Sequence, residues 1–277
     1  MRKIFEHVRI NIKSISGVMA KMWGILFPLY WGVIFSGYFS SIFVTVANSI
    51  LVIIILILLT FAISTIYVLN VNHRVVFRSI TNKSLEVEFG DIFSSNAEIK
   101  VIPVNCCFDT VVDDKLIARN SLHGMLIANH LKHIDYELLC NQITLGLSDI
   151  KGNVCSDKTN GKSIRYPTGT IVEIDDGNVI YYLLALTKLD SKNKAYCSEI
   201  DYYNAIIHLM NYYDQHGQGK TMAIPNLGAG FSRINQPEQI LLEALISAIR
   251  MLQSRMRGDI KIIVHDAKRD IISITDL

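Results

Sequence analysis

Residues 223–233 read Ala223-Ile224-Pro225-Asn226-Leu227-Gly228-Ala229-Gly230-Phe231-Ser232-Arg233. The apolar run at 221–225 has the length of a buried strand, and a helical pattern begins near Pro237, a residue suited to a first helical turn. Glycines between the two let main-chain N–H groups converge on a phosphate, and the following helix adds the positive end of its dipole. A side chain placed at Gly230 is expected to crowd such a loop. A plain turn fits the same residues, so the loop is read with its surroundings. Working outward, short strands are expected at 85–89, 99–104, 169–174, 179–186 and 261–265, and helices at 120–133, 198–216 and 237–257. Strands alternating with helices predict an α/β domain. The stretch 149–167, rich in Gly, Asn, Ser, Asp and Lys, reads as a long loop.

Upstream of residue 73 the pattern changes. No Asp, Glu, Lys, Arg or His occurs from 22 to 72, a helical length about twice the ~30 Å hydrocarbon core of a bilayer. This predicts a two-span transmembrane hairpin, reversing between Gly37 and Ser49. Basic residues flank its outer ends (Lys21; Arg74, Arg78, Lys83) and none lies in the turn, so both termini are expected on the cytoplasmic side of a bacterial inner membrane. Residues 1–21, with five Lys or Arg and apolar residues at helical spacing, predict an amphipathic segment on the membrane surface, or a solvated leader. The expected organisation is thus 1–21 basic segment, 22–72 hairpin, 73–84 linker and 85–277 α/β domain. Ser40, Ser41, Thr45 and Asn48 suit either a polar lining between clustered copies or helix packing.

Several chemistries are set aside. The net charge of +2 argues against a nucleic-acid surface. Gly219-Lys220-Thr221 and Gly161-Lys162-Ser163 end like a phosphate-binding P-loop, but Asp214 and Ser156 stand where its first glycine belongs. His130 and His133 lack further ligands at metal spacing and read as polar residues of one helix, so neither metal nor cofactor is expected. The odd cysteine count, without a C-x-x-C pair, suits reduced thiols, and no catalytic residue is assigned.

Two further strand ends join the glycine loop: Gly90-Asp91-Ile92 after the first strand, and Asn105-Cys106-Cys107-Phe108-Asp109-Thr110 after 101–104. In this order, the three motifs resemble the macro domain family over 85–277. The resemblance implies a mixed sheet flanked by helices and a site for ADP-ribose. Asp91, beside Ile92, would accept from the adenine amino group. Asn105 would close the second strand, and a first phosphate loop would fall at Ser121-Leu122-His123-Gly124. Residues 226–233, from Asn226 and Leu227 through Gly228, Ala229, Gly230 and Phe231 to Ser232 and Arg233, would wrap the diphosphate and distal ribose. Hydrolytic members continue V-N-A-A-N with a glycine-rich stretch, whereas bulky Phe108, Asp109, Val111 and Val112 follow here, which implies binding rather than hydrolysis. With its hairpin and I-P-V-N, F-D-T and S-L-H-G motifs, the chain resembles the membrane-macro effectors of Thoeris antiphage defence. That implies a TIR-domain partner making an ADP-ribose-derived signal (histidine-ADP-ribose), a homo-oligomer, and damage to membrane lipid. An ADP-ribosyl hydrolase and a tethered reader of ADP-ribosylated proteins are the alternatives.

Overall fold

The structure is a computed structural model and describes residues 2–35, 46–155, 160–230 and 233–277. The chain divides into two compact units, Met1–Arg74 with Ala267–Leu277, and Val75–Asp266.

The first unit holds α1 (Arg2–Ile10), α2 (Ile12–Phe35) and α3 (Val46–Leu69). Helix α2 runs unbroken through Lys13 and Lys21, so the expected boundary at residue 21 falls inside a helix. The break lies at Asn11, whose Nδ2 donates to the His7 carbonyl at 2.9 Å. Across α2 and α3, Trp23 Nε1 donates to Thr60 Oγ1 at 3.2 Å, and Ser64 Oγ to Met22 Sδ at 3.6 Å. Among the described residues one helical stretch, Leu51–Leu69, is long and apolar enough to cross a membrane. The expected reversal falls largely on 36–45, outside the described residues.

The second unit is built on a mixed sheet. The sheet starts with β1 (His73–Arg78), whose first two residues belong to the first unit, and continues with β2 (Ser84–Phe89) and β3 (Ile99–Asn105). After them come α4 (Leu122–Met125), a π-helical turn over Leu126–His130, and α5 (Tyr136–Gly146). A small hairpin, β4 (Asn153–Val154) with β5 (Ile164–Arg165), precedes β6 (Ile171–Asp175), β7 (Ile180–Leu189), β8 (Ala195–Tyr196) and α6 (Glu199–His216). The chain continues through β9 (Met222–Pro225), α7 (Glu238–Met251) and β10 (Ile260–Val264). The order across the sheet is β1-β2-β10-β9-β3-β7-β6, with β8 on β7. From β2 to β7 the neighbours are parallel, and β6 and β8 run antiparallel to β7.

Consecutive residues of β3, Val101 and Ile102, are both fully buried, as a parallel strand covered on both faces requires. On one face Ile102 and Val104 pack in a cluster with Leu126, Leu139 and Ile143 of the α4–α5 layer. On the other, Tyr182 meets Tyr212 of α6 edge to face, ring centres 5.3 Å apart.

Three features depart from the sequence expectations. Where a linker was expected at 73–84, β1 lies at the sheet edge, its basic residues disguising a strand. The helix expected over 120–133 is the short α4 and a π turn, and α5 follows unforeseen. Asp135 caps α5 by accepting from the Glu137 and Leu138 amides, while Leu138 and Leu145 face water and blur the apolar period. Finally, 267–277 belongs to the helical unit: Ile272 and Ile274 are buried, and Ser273 and Thr275 hydroxyls each reach Asn11 Oδ1 at 2.8 Å.

Candidate functional site

Parallel strands deliver their carboxyl ends to one edge of the sheet. Val264 of β10 pairs with Phe89 of β2, and Ile263 with Pro225 of β9, so the loops at Gly90 and Asn226 leave at one level. The Gly90 amide donates to the Val264 carbonyl at 2.9 Å and the Asn226 amide to that of Ile263 at 3.1 Å. After β9 the chain turns into α7, which packs with α6; after β3 it turns into the opposite helical layer. The β9/β3 boundary is therefore a topological switch point, where open α/β sheets form a crevice outside their strand ends.

Asp91 lies at the β2 rim. Its carboxylate accepts from the Phe93 amide at 3.1 Å and from Ser94 Oγ at 3.2 Å, capping a short 3-10 turn over Ile92–Ser94, while Ile92 itself is buried. Sequence reasoning missed its surroundings. Lys100, 3% exposed, donates from Nζ to the Phe93 carbonyl at 2.5 Å. Burial holds its pKa below the lysine norm, against the pull of Asp91 and Asp176. The Phe93 ring stacks on His130 at 3.9 Å, and burial lowers the His130 pKa, with Asp91 opposing. The available signal was a lone lysine inside the apolar strand 99–104.

Asn105, Phe108 and Asp109 form a self-contained turn. Asn105 Oδ1 accepts from the Cys107 amide at 3.0 Å and the Asp109 amide at 3.4 Å. Phe108 has φ of 50° and is 1% exposed, its ring against Tyr166, so the expected ligand contact of this side chain is spent on core packing. Asp109, equally buried, accepts from the Lys162 amide at 2.7 Å and anchors the hairpin loop. Ser121 caps α4 through a bond from the Gly124 amide at 3.0 Å, and a Cβ at Gly124 would strike the Ala118 carbonyl. His123 is buried, and that burial, with Lys162 adding to it, lowers its pKa to about 3, which keeps the imidazole neutral.

In the glycine loop the two glycines differ. Gly228 has φ of 80°, and a Cβ there would lie 2.7 Å from Ile234 Cδ1 and 3.4 Å from Tyr202 Cε2. Gly230 is exposed with nothing within 4 Å of its Cβ position, so the expected crowding holds at Gly228 and fails at Gly230. Leu227 is buried, and the Ala229 amide closes a turn onto the Asn226 carbonyl at 3.4 Å. Asn226 Nδ2 donates to the Glu238 carbonyl at 3.2 Å, while its Oδ1 is buried without a partner among the described residues. Arg233 is exposed at φ of 51°. Phe231 and Ser232 lie outside the described residues.

The nearby thiols are poor nucleophiles: burial pushes Cys106 up to about 11 and Cys197 up to about 12. Among the described residues no group of three or more His, Cys, Asp or Glu could hold a metal ion.

The fold defines the class, an α/β domain of the macro type. Residues 85–265 match the family model described as "Thoeris protein ThsA, Macro domain", and the chain belongs to that family. It is similar to a Thoeris protein ThsA of Bacillus amyloliquefaciens (strain Y2), 30% identical over 160 residues, which are 56% of this chain and 52% of the relative. The chain therefore matches about half the length of that curated relative. Among solved structures, the Oceanobacillus iheyensis macrodomain with ADP is 13% identical at a TM-score of 0.47, covering 72% of this chain and 93% of that one. The macrodomain of Thermus aquaticus DarG is 12% identical at 0.41, covering 66% and 99%.

Proposed function

We propose that this chain is a signal-gated membrane effector. Its macro unit binds an ADP-ribose derivative, histidine-ADP-ribose supplied by a TIR-domain partner, and ligand-driven oligomers of the helical unit breach the inner membrane. The observation that carries the reading is the shared rim of the Asp91 and Asn226–Gly230 loops at the switch point, in a chain of this family. Asp91 takes the adenine amino group. The amides of the glycine loop take the diphosphate, with Gly230 open toward it and Gly228 holding the turn. A site of main-chain donors suits a dianionic diphosphate in a chain whose net charge is only +2.

Binding is favoured over hydrolysis because Asn105 Oδ1 accepts two amides of its own turn and the Phe108 ring fills the core, so neither that oxygen nor that ring is available to a water. Closure of the loop on a diphosphate is relayed to α7, which starts a few residues on and is tied to Asn226 through the Glu238 carbonyl. A ligand shifts an equilibrium only through differential affinity, so the closed loop belongs to the self-associating state. The helical unit suits a bilayer because Leu51–Leu69 is uncharged and largely exposed.

Titrating the full chain in detergent with ADP-ribose and histidine-ADP-ribose tests the reading. Heat of binding followed by growth in mass by light scattering is expected; turnover of the ligand, or no binding by a folded protein, overturns it.

A further inference from the structure

At the polar end of the helix pair, the helical unit carries an open pocket of about 370 Å³ that the proposed function does not use. We infer that it is a binding site for the headgroup of an anionic glycerophospholipid. The inference rests on the membrane reading just given and adds to it a specific lipid class and a site.

One wall is a single stripe of α2: Ser14, Gly17, Val18 and Lys21, spaced three, four and seven residues from the first, as one helix face requires. The facing wall is Tyr67, Val68 and Val71 at the end of α3. The contacts of Met22 with Ser64 and Trp23 with Thr60 fix this antiparallel register. Continuing it one turn outward brings Val18 opposite Val68. Lys21 is the last charge before the apolar stretch of α2, and Arg74 follows Leu51–Leu69 by five residues. Both cations therefore stand at the depth where a bilayer changes from acyl chain to phosphate, with the Tyr67 ring, 62% exposed, at the same level.

The lining divides in the same way. Val18, Val68 and Val71 offer a surface for glycerol and the first methylenes, while Lys21 and Arg74 offer charge and hydrogen bonds for a phosphodiester. Arg74 is oriented by a bond from Nη1 to the Ile274 carbonyl at 3.3 Å, with donors of its five to spare for a phosphate. The Asp276 carboxylate accepts from the hydroxyls of Ser14, which lines the pocket, and Ser273. Gly17 widens the same pocket. A mid-helix glycine costs about 1 kcal/mol against alanine, no neighbour lies within 4 Å of its Cβ position, and so packing of the protein against itself does not call for it. Its missing side chain leaves the cavity open.

The test uses the full chain in detergent doped with equal phosphatidylglycerol and phosphatidylcholine, with co-purified lipid measured by mass spectrometry. Wild type should retain phosphatidylglycerol over phosphatidylcholine. Lys21→Gln with Arg74→Gln should lower that preference roughly thirtyfold, at about fivefold per basic residue. Gly17→Leu should lower it as well by filling the cavity with both charges in place. Millimolar glycerol 3-phosphate should not displace the lipid; displacement would mark a soluble phosphate site and overturn the lipid assignment. Equal retention of both lipids, or retention unchanged in variants that still bind ADP-ribose, overturns the site. Flotation separates the failures: a chain that floats with vesicles of either lipid but shows no preference loses only this site. One that floats with neither loses the membrane reading and the site together.

Discussion

The two units use similar apolar side chains and treat them oppositely. In the sheet unit Leu85, Val87, Ile99, Val101 and Ile262 are fully buried, whereas in the helical unit Ile25, Leu29, Leu58 and Ile66 are each more than 60% exposed. An Ile or Leu left in water forgoes about 1.5 to 3 kcal/mol of burial, and this repeated exposure is what supports the membrane reading proposed above. The difference teaches that the same apolar side chains are core in one unit and surface in the other.

The largest expected effect comes from parting them. Because Ile272, Ser273 and Ile274 are buried within the helical unit, removing 1–72 alone strips their cover. Removal of 1–74 together with 267–277 should abolish vesicle flotation entirely and leave ADP-ribose affinity within about twofold, below the ~1 kcal/mol of one hydrogen bond. Loss of binding in that fragment, with a cooperative melt retained, would break the comparison.

Next in size is Gly228→Val. A β-branched residue at φ of 80° against Ile234 and Leu241 should destabilise the sheet unit by about 3 kcal/mol or more in a denaturant melt and abolish binding. Gly230→Glu sharpens the point: binding should fall by at least tenfold through repulsion of the diphosphate, while the melting temperature stays within a degree or two. Equal losses of stability at the two glycines would show that the loop has no open side.

Asp91→Ala should weaken ADP-ribose binding by about 1.5 to 3 kcal/mol, the worth of a charged acceptor, measured calorimetrically. Its stability cost should be smaller, since the carboxylate caps only a 3-10 turn. The last effect is on pH. His123 has its pKa lowered to about 3 in the fold, so the unfolded chain takes up a proton below its ordinary 6.5 and the folded one does not. Stability is complete above that value and should fall by about 2 kcal/mol between pH 7 and pH 5. His123→Gln should flatten this dependence in urea melts at the two pH values.

Much of the sheet was legible before any coordinates, because its strands are short apolar runs between polar loops, and β2, β3, β7, β9 and β10 fall within a few residues of expectation. The motifs at Asp91, Asn105 and Gly228 were legible for a related reason: strand ends demand particular residues locally. The positions that sequence misread or passed over are those whose surroundings are set by the fold. Phe108 follows a motif position but turns into the core through a left-handed φ, and Lys100 looks misplaced until Phe93 and Asp91 are beside it.

The sequence by itself determined the charge-free stretch, the strand and helix alternation, and glycines in a loop ahead of a helix, all properties of neighbours within a few residues. Only the tertiary structure decided that β10, the last strand, inserts between β2 and β9, so that loops more than a hundred residues apart share one rim. It also decided which glycine is packed and which is open, and that the C-terminal residues close the helical unit. The physical reason is common to all three. Local periodicity records which face of an element is apolar, whereas the identity of the surface covering that face is a long-range contact that no local pattern encodes.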